Sequence, residues 1–442
     1  MTKARSPISW VPTLYFAEGL PLWVVLLVAG QMYKSTGIGN DQISRWTGLI
    51  TLAWVFKPLW SPILEALGTN RSQVVLFQFI GGVSLIALGL TLNLPAFFAI
   101  SIAILGLVAI ASATHDIAAD GLYIASLDAK RQAEYAGWQG AFYNAAKFAS
   151  AGGLLILAGY LEKQMPVAQA WTIVFAILGI TMIGLGLYHI WALPPATKSV
   201  HQAHSLGEAM GTLREVLGAF FRKPGIWLAV LFIILFRAGE AQVTNIAPLF
   251  LRDARSAGGL GLDPTQVGWA YGTAGTLAFI AGSILGGYFA AALGLRRALP
   301  WLIIGMNLPN LAFFYLSSAM PTELSLIIAA IFVENIGFGF GFVGLVLYMM
   351  QVVAPGKYQT AHYAFGTGFM ALGLTLFRTI SGDIQVALGY QQFFFFVLLC
   401  AIPVFLLSFR IIPRNETGSL EPHAPAADDT PPVTPAGEPA QA

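Results

Sequence analysis

Cysteine is nearly absent from this 442-residue sequence: Cys400 stands alone in an apolar run, so no internal disulfide can form. Neither it nor the histidines fall at metal-ligand spacing, which excludes disulfide scaffolds and zinc sites. Charge is scarce as well. Lys, Arg, Asp and Glu make up 10% of the chain against 57% hydrophobic residues, where a soluble domain carries about 25% charged residues. That deficit places the chain in a bilayer. A net charge of +2 offers no basic surface for a nucleic acid. A nucleophile paired with a base at the membrane surface is also missing, so no enzyme activity is expected and no cofactor is implied. The opening MTKARSPISW lacks a small-residue cleavage site and reads as the approach to an uncleaved first span.

What the sequence has instead is apolar runs of about 20 residues or more, the length that crosses a hydrocarbon core. Twelve are read, at 9–33, 43–67, 72–93, 96–126, 131–161, 168–192, 226–252, 264–292, 297–318, 321–352, 358–388 and 390–412. The one long polar interval, Pro194 to Pro224, carries Lys198, Arg214, Arg222 and Lys223, with Leu206, Met210, Leu213 and Leu217 at helical spacing. It reads as a cytoplasmic linker (194–224) between an N-terminal six-helix bundle (1–193) and a C-terminal one (225–412). The remainder, 413–442, is rich in Pro, Ala and acid and is expected to be a disordered tail. The expected class is thus an all-α membrane protein of twelve transmembrane helices. Cations in short loops gather on the side of the termini, among them Arg71, Arg131, Arg296 and Arg297, and are fewer opposite, at Lys34, Arg45, Lys163, Arg252 and Arg255. Both termini are therefore expected in the cytoplasm.

Ionisable groups inside spans are rare and by default mark a substrate path or a proton relay. Asp116 and Asp120, in the run 111–126 (ASATHDIAADGLYIAS), lie one helical turn apart and share a face with Ser112 and Tyr123. Glu18 lies about nine residues, roughly 14 Å, into the first span. Pro21 beside Gly19 should loosen that helix and free carbonyls that need partners in a cavity or on a neighbour. Proton or substrate work and simple packing are both open for Glu18. Arg237 and Glu240, three apart, form either a self-neutralising pair or a gate or anion site. Glu334 precedes a GFGFG series that lets backbones pack closely or the helix flex. Asn144, Lys147 and Arg378 are candidate contacts for an anionic group, although Lys147 can equally neutralise Asp116, and Lys57 carries the same ambiguity. His115 either titrates near neutrality or serves as a hydrogen-bond partner, and Trp138 either stacks on a sugar ring or packs.

The second half echoes the first. Ser61-Pro-Ile-Leu-Glu65-Ala-Leu-Gly68-Thr-Asn-Arg71 recurs as Gly287-Tyr-Phe-Ala-Ala291-Ala-Leu-Gly294-Leu-Arg-Arg297 at a constant offset of 226. Tyr135-Ala136 with Gly140 parallels Tyr363-Ala364 with Gly368 at 228. Such symmetry suits carriers whose substrate site lies between two halves. The repeated stretch resembles the inter-helix loop motif of the major facilitator superfamily, with Ser61 in place of the first glycine and Ala291 in place of the acid. Glu65, Gly68, Arg71, Gly287, Gly294 and Arg297, with Lys57, are the gating candidates.

Glu18-Gly-Leu-Pro21, Val55-Phe-Lys-Pro-Leu-Trp-Ser-Pro62, Asp116-Ile-Ala-Ala-Asp120, the Arg237–Glu240 block with Leu249-Phe-Leu-Arg252, and Phe332-Val-Glu-Asn335 together resemble the AmpG-type muropeptide permeases. These belong to the peptide, acetyl-CoA and drug transporter branch of the same superfamily. The resemblance, which runs in order through most of 10–400, implies the superfamily fold in two pseudo-symmetric bundles. It further implies a bacterial inner-membrane permease that imports anhydro-muropeptides for cell-wall recycling, driven by protons through alternating access. On that reading Glu18, Asp116, Asp120, Glu240 and Glu334 couple protons, and Lys147, Asn144, Arg237, Arg378 and Trp138 contact the cargo. The partners are a small muropeptide-like or other anionic solute, protons and the bilayer, and the carrier is expected to be a monomer. The chain departs from the pattern at His115, where the permeases commonly carry Gln, at Glu65 and Glu240, where they carry Asp, and at Arg237, where they carry Lys. A siderophore, peptide or drug is the alternative cargo.

Overall fold

The computed structural model describes residues 6–67, 69–127, 129–195, 206–355 and 358–411, apart from some side chains within 58–67, 129–137, 206–212 and 359–361. Gly68, the Glu65 side chain and the expected tail at 413–442 lie outside the described residues. All regular structure among the described residues is helical. The helices line up in twelve rods. In the first bundle these are helix 1 (Pro7–Ser35), helix 2 (40–67), helix 3 (Asn70–Asn93), helix 4 (Phe97–Ser126), helix 5 (129–162) and helix 6 (Val167–Ala192). In the second they are helix 7 (Ile226–Arg252), helix 8 (Pro264–Leu293), helix 9 (Leu295–Ala319), helix 10 (Leu324–Val353), helix 11 (Gln359–Leu388) and helix 12 (Tyr390–Ser408).

Among the described residues, ten of the rods are long and apolar enough to cross a membrane. Helices 2 and 11 are the exceptions. Helix 2 is split at Thr51 into segments of 11 and 16 residues, and helix 11 carries Arg378 and Asp383 among its threonines and serine. The two pack against each other between the bundles, where Thr51 and Thr375 share a 2.6 Å hydrogen bond. Their polar groups therefore meet protein and not lipid.

Lipid supplies no hydrophobic drive for helix pairing, so close packing falls to small residues. The GFGFG series does this work. A Cβ on Gly337 would lie 2.4 Å from the Gly305 carbonyl, and one on Gly339 would lie 2.1 Å from the Phe279 carbonyl, so alternate glycines seat helix 10 on helix 9 and on helix 8. Where the bundles cross, helices 5 and 8 each widen into a π-helical turn, at Phe148–Leu154 and Gly268–Ala274, and these two turns meet. A Cβ on Gly272 would fall 1.9 Å from the Ala151 carbonyl.

Chain ends follow local chemistry. Thr69 and Ser72 cap helix 3 reciprocally, Asp263 and Gln266 cap helix 8, and Gly294 ends helix 8 with φ +72°. The expected linker contains a helix, Leu206–Phe221, packed against helix 2 of the first bundle and helices 7 and 11 of the second. Phe220 packs on Phe365 and Phe369, and Lys223 donates to the carbonyls of Val353 and Pro355 at 2.7 Å, closing the end of helix 10. With an even number of rods in each bundle, Pro7, the linker and Ser408 share one face, called here the linker face; the connections 1–2, 3–4, 5–6, 7–8, 9–10 and 11–12 lie at the far face.

Candidate functional site

A cavity of about 480 Å³ opens between the bundles, within the size range of small-molecule sites. Helices 1, 2, 4 and 5 line one side, and helices 7, 8, 10 and 11 the other. Of the 23 Lys and Arg in the chain, Lys57, Lys147, Arg237 and Arg378 line this cavity. Asp116, Glu240 and Asn144 join them; Glu18, Asp120 and Glu334 are not among the lining residues.

The first bundle concentrates acid. Carboxylate oxygens of Glu18, Asp116 and Asp120 come within 4.8 Å of one another, with one cation beside them, Lys57, ion-paired to Asp116. Asp120 also accepts a 2.9 Å hydrogen bond from the Tyr15 hydroxyl, whereas Glu18 Oε2 is buried without a hydrogen bond. Gly19 brings Glu18 there: a Cβ at that position would lie 2.8 Å from the Tyr143 carbonyl, so helix 1 can lie against helix 5 only without one. The loosening expected at Pro21 appears just after it, as a π-helical turn at Val24–Val28. The Leu26 carbonyl in that turn accepts from Arg378 of helix 11, across the bundle interface. His115 points elsewhere, into a buried chain through Gln78 and His189 to Thr13, each link 2.9 Å.

The second side of the cavity is cationic. Arg237 and Glu240 pair at 2.9 Å, one turn apart, and Glu334 accepts from Asn335 at 2.8 Å. Lys147 reaches across from helix 5. Its side chain is buried, 5% exposed, and has no ion pair or hydrogen bond among the described residues. It is held over the rings of Trp23 and Phe279, at 4.8 and 5.6 Å, a cation–π seat that leaves the ammonium without an anion. Glu334 and Glu240 lie within electrostatic reach of it, outside ion-pair contact. Tyr271, Phe279, Phe338 and Phe342 complete an aromatic wall.

Four ion pairs join the bundles among the described residues, and all four lie at the far face: Lys34 to Asp253, Arg45 to Asp383 at 2.6 Å, Lys163 to Asp263 at 2.6 Å, and Arg252 to Glu162 at 4.0 Å. Asn40 ties that face further, donating to Gln385 and Asp253 at 2.9 and 3.0 Å. Burial works to raise the Asp263 carboxyl. The hydrogen bonds from Lys163 and the Gln266 N–H, with the charges of Lys163 and Arg252, outweigh it and hold Asp263 below the ordinary aspartate range.

Measured against the sequence reading, the spans' charges converge on one place. Trp138 does not. It is 45% exposed, stacks on Phe142 at 6.0 Å and is not part of the cavity lining. Nine residues separate it from Lys147, which on a helix turns it roughly 180° away. Of the gating candidates, Lys57 lines the cavity, Arg71 donates to the Ile190 carbonyl beside the cap of helix 3, and Gly294 makes the turn. Gly287 makes no close approach, since a Cβ there would meet nothing within 4 Å, and Arg297 is exposed. The aromatic wall and the far-face ties went unread; the loop cations that form the ties were counted only for topology.

The Major Facilitator Superfamily model matches residues 13–376. The anhydromuropeptide permease of Escherichia coli (strain K12) is 27% identical over 408 residues, covering 89% of this chain and 77% of its own. A putative transporter, AmpG 4, of Rickettsia conorii (strain ATCC VR-613 / Malish 7) is 23% identical, covering 89% and 94%. Among solved structures, a bacterial homologue of the human lysosomal transporter Spinster, inward-facing and unoccupied, superposes with a TM-score of 0.72 at 16% identity, covering 92% of this chain and 97% of its own.

Proposed function

The chain belongs to the Major Facilitator Superfamily, a family of membrane transporters, and from that premise we propose that it imports an anhydro-muropeptide, drawn by the proton gradient. The observation that carries this reading is Lys147: a buried ammonium facing a cavity between two bundles, with aromatic rings beside it and no anion. A buried charge without a partner is costly, and a cargo carboxylate is the partner that would relieve it. The aromatic wall suits the sugar rings and apolar stem of a muramyl peptide. The permease of Escherichia coli, similar along most of the chain, narrows the cargo to that class.

In this reading the linker face is cytoplasmic, as the loop cations suggest, and the far face is periplasmic. With four ion pairs gathering the bundles at the far face, the carrier then stands in the state that releases cargo inward. The exposed pairs, Arg45 with Asp383 and Lys163 with Asp263, contribute about 0–1 kcal/mol each, so these two ties can break and re-form in every cycle. The bundles would rock about the crossing of helices 5 and 8. Asp116, Asp120 and Glu18 crowd more acid than Lys57 can balance, which favours their holding protons and supports proton coupling.

The test is uptake of labelled anhydro-muropeptide by proteoliposomes holding the full chain. An acid-outside gradient should drive accumulation above the external concentration, and an uncoupler should abolish it. No accumulation, together with uptake of a siderophore or unrelated peptide under the same gradient, would replace the cargo assigned here.

A further inference from the structure

The two sides of the cavity can be counted separately. Around Asp116, three carboxylates face one ammonium, a surplus of two negative charges. Around Lys147, three cations (Lys147, Arg237, Arg378) face two carboxylates (Glu240, Glu334), a surplus of one positive charge. The other titratable groups near the acids do not alter the first count. Tyr15 meets them from helix 1, Tyr123 from helix 4 and Tyr143 from helix 5, all neutral phenols. Gln78 donates an amide N–H to His115 Nε2 at 2.9 Å, which requires a bare ring nitrogen and so a neutral imidazole. Turning such a site through a low-dielectric interior is least costly when each cluster is neutral.

We propose that the loaded carrier is neutral on both sides, holding one cargo carboxylate at Lys147 and two protons in the Glu18–Asp116–Asp120 cluster. This inference rests on the import reading above and extends it to stoichiometry. The cargo's carboxylate stays ionised and gains Lys147 as counter-ion. Two of the three acids of the first bundle are in the COOH form, taking both protons from the compartment the cavity faces and returning them on the other side, while the third stays paired with Lys57. Import of a monoanion then carries two protons and one negative charge, a net inward movement of one positive charge per cycle. A cargo with its carboxylate amidated lacks the anion, leaves Lys147 uncompensated and binds more weakly.

The experiment uses the reconstituted full chain on a solid-supported membrane. The probe is an anhydro-muramyl disaccharide with a single carboxylate, and its methyl amide serves as comparison. Addition of the acid should produce an inward positive current, and flux measured against proton and voltage gradients should give two protons per carboxylate. Glu18→Gln should give one proton per carboxylate and no net charge, whatever its rate. The methyl amide should bind at least tenfold more weakly than the acid, and Lys147→Gln should erase that difference. Electroneutral uptake of the acid by the unaltered chain would overturn this stoichiometry and leave the import reading standing. Equal binding of acid and amide would remove Lys147 as the carboxylate's partner. No uptake of either probe would overturn both readings together.

Discussion

Helix 5 and helix 11 hold equivalent places in the two bundles, and each puts one cation into the cavity. Lys147 lies 18 residues on from Ala129, and Arg378 lies 19 on from Gln359. Their surroundings differ. Arg378 reaches over the interface to the Leu26 carbonyl and is fixed by it, whereas Lys147 rests on two rings with no acceptor. The repeat therefore sets depth and sign of charge, and the neighbouring helix decides whether the charge is committed to the fold or open to a ligand. A similar divergence separates helices 1 and 7: Glu240 has an ion pair with Arg237 one turn away, while Glu18 lies among two further carboxylates and has no ion pair among the described residues.

The contrast can be broken most severely at its open end. A hydrogen bond to a charged group contributes about 1.5–3 kcal/mol, so Lys147→Gln should raise the KM for an anionic cargo roughly ten- to a hundredfold, as measured by uptake in proteoliposomes. Glu18→Gln should lower gradient-driven uptake about tenfold, with insertion unchanged by surface labelling, because one proton-carrying group is lost. Arg378→Met should act on the fold more than on the cargo. The Leu26 carbonyl loses its donor, and the thermal midpoint of the purified protein should drop by several degrees, with KM shifting less than for Lys147→Gln.

The smallest effect is expected at the rim. Lys163 is 61% exposed, so Lys163→Ala should change far-face opening, read by cysteine accessibility, by less than about 1 kcal/mol. The acid partner sharpens the point. A carboxylate held below its ordinary value contributes above that value and is lost only as pH falls through the lowered one. Asp263 should therefore keep its tie unchanged between pH 7 and pH 5, and labelling of the far face should not respond to pH through this pair.

Much of the architecture was legible before any coordinates. Apolar runs mark the rods because a bilayer allows little else, and the charges within them stand out because each is costly there. Lys57, Lys147, Arg237 and Arg378 were all identified that way, and all line the cavity. Depth along a rod can be counted from its end. Direction around it is harder to read where polar and apolar residues are spread evenly round the helix, as in 129–147, so that no face stands out. Trp138 was misplaced for this reason, although counting turns from Lys147 would have turned it outward. Partnership was the least legible property. Nothing in the sequence distinguishes Arg378, with its carbonyl, from Lys147, without one, because the Leu26 acceptor belongs to another helix and exists only where a π-helical turn widens the ladder. The break in helix 2 at Thr51 escaped notice likewise, since the hydroxyl that joins it to Thr375 lies 324 residues away in the chain.

The division of labour between the bundles is tested most directly by equilibrium binding of the monocarboxylate disaccharide to two purified variants, measured side by side by calorimetry at neutral pH. The account predicts that affinity falls at least tenfold further for Lys147→Gln than for Glu18→Gln. Equal losses in the two variants, or a greater loss in Glu18→Gln, would contradict it.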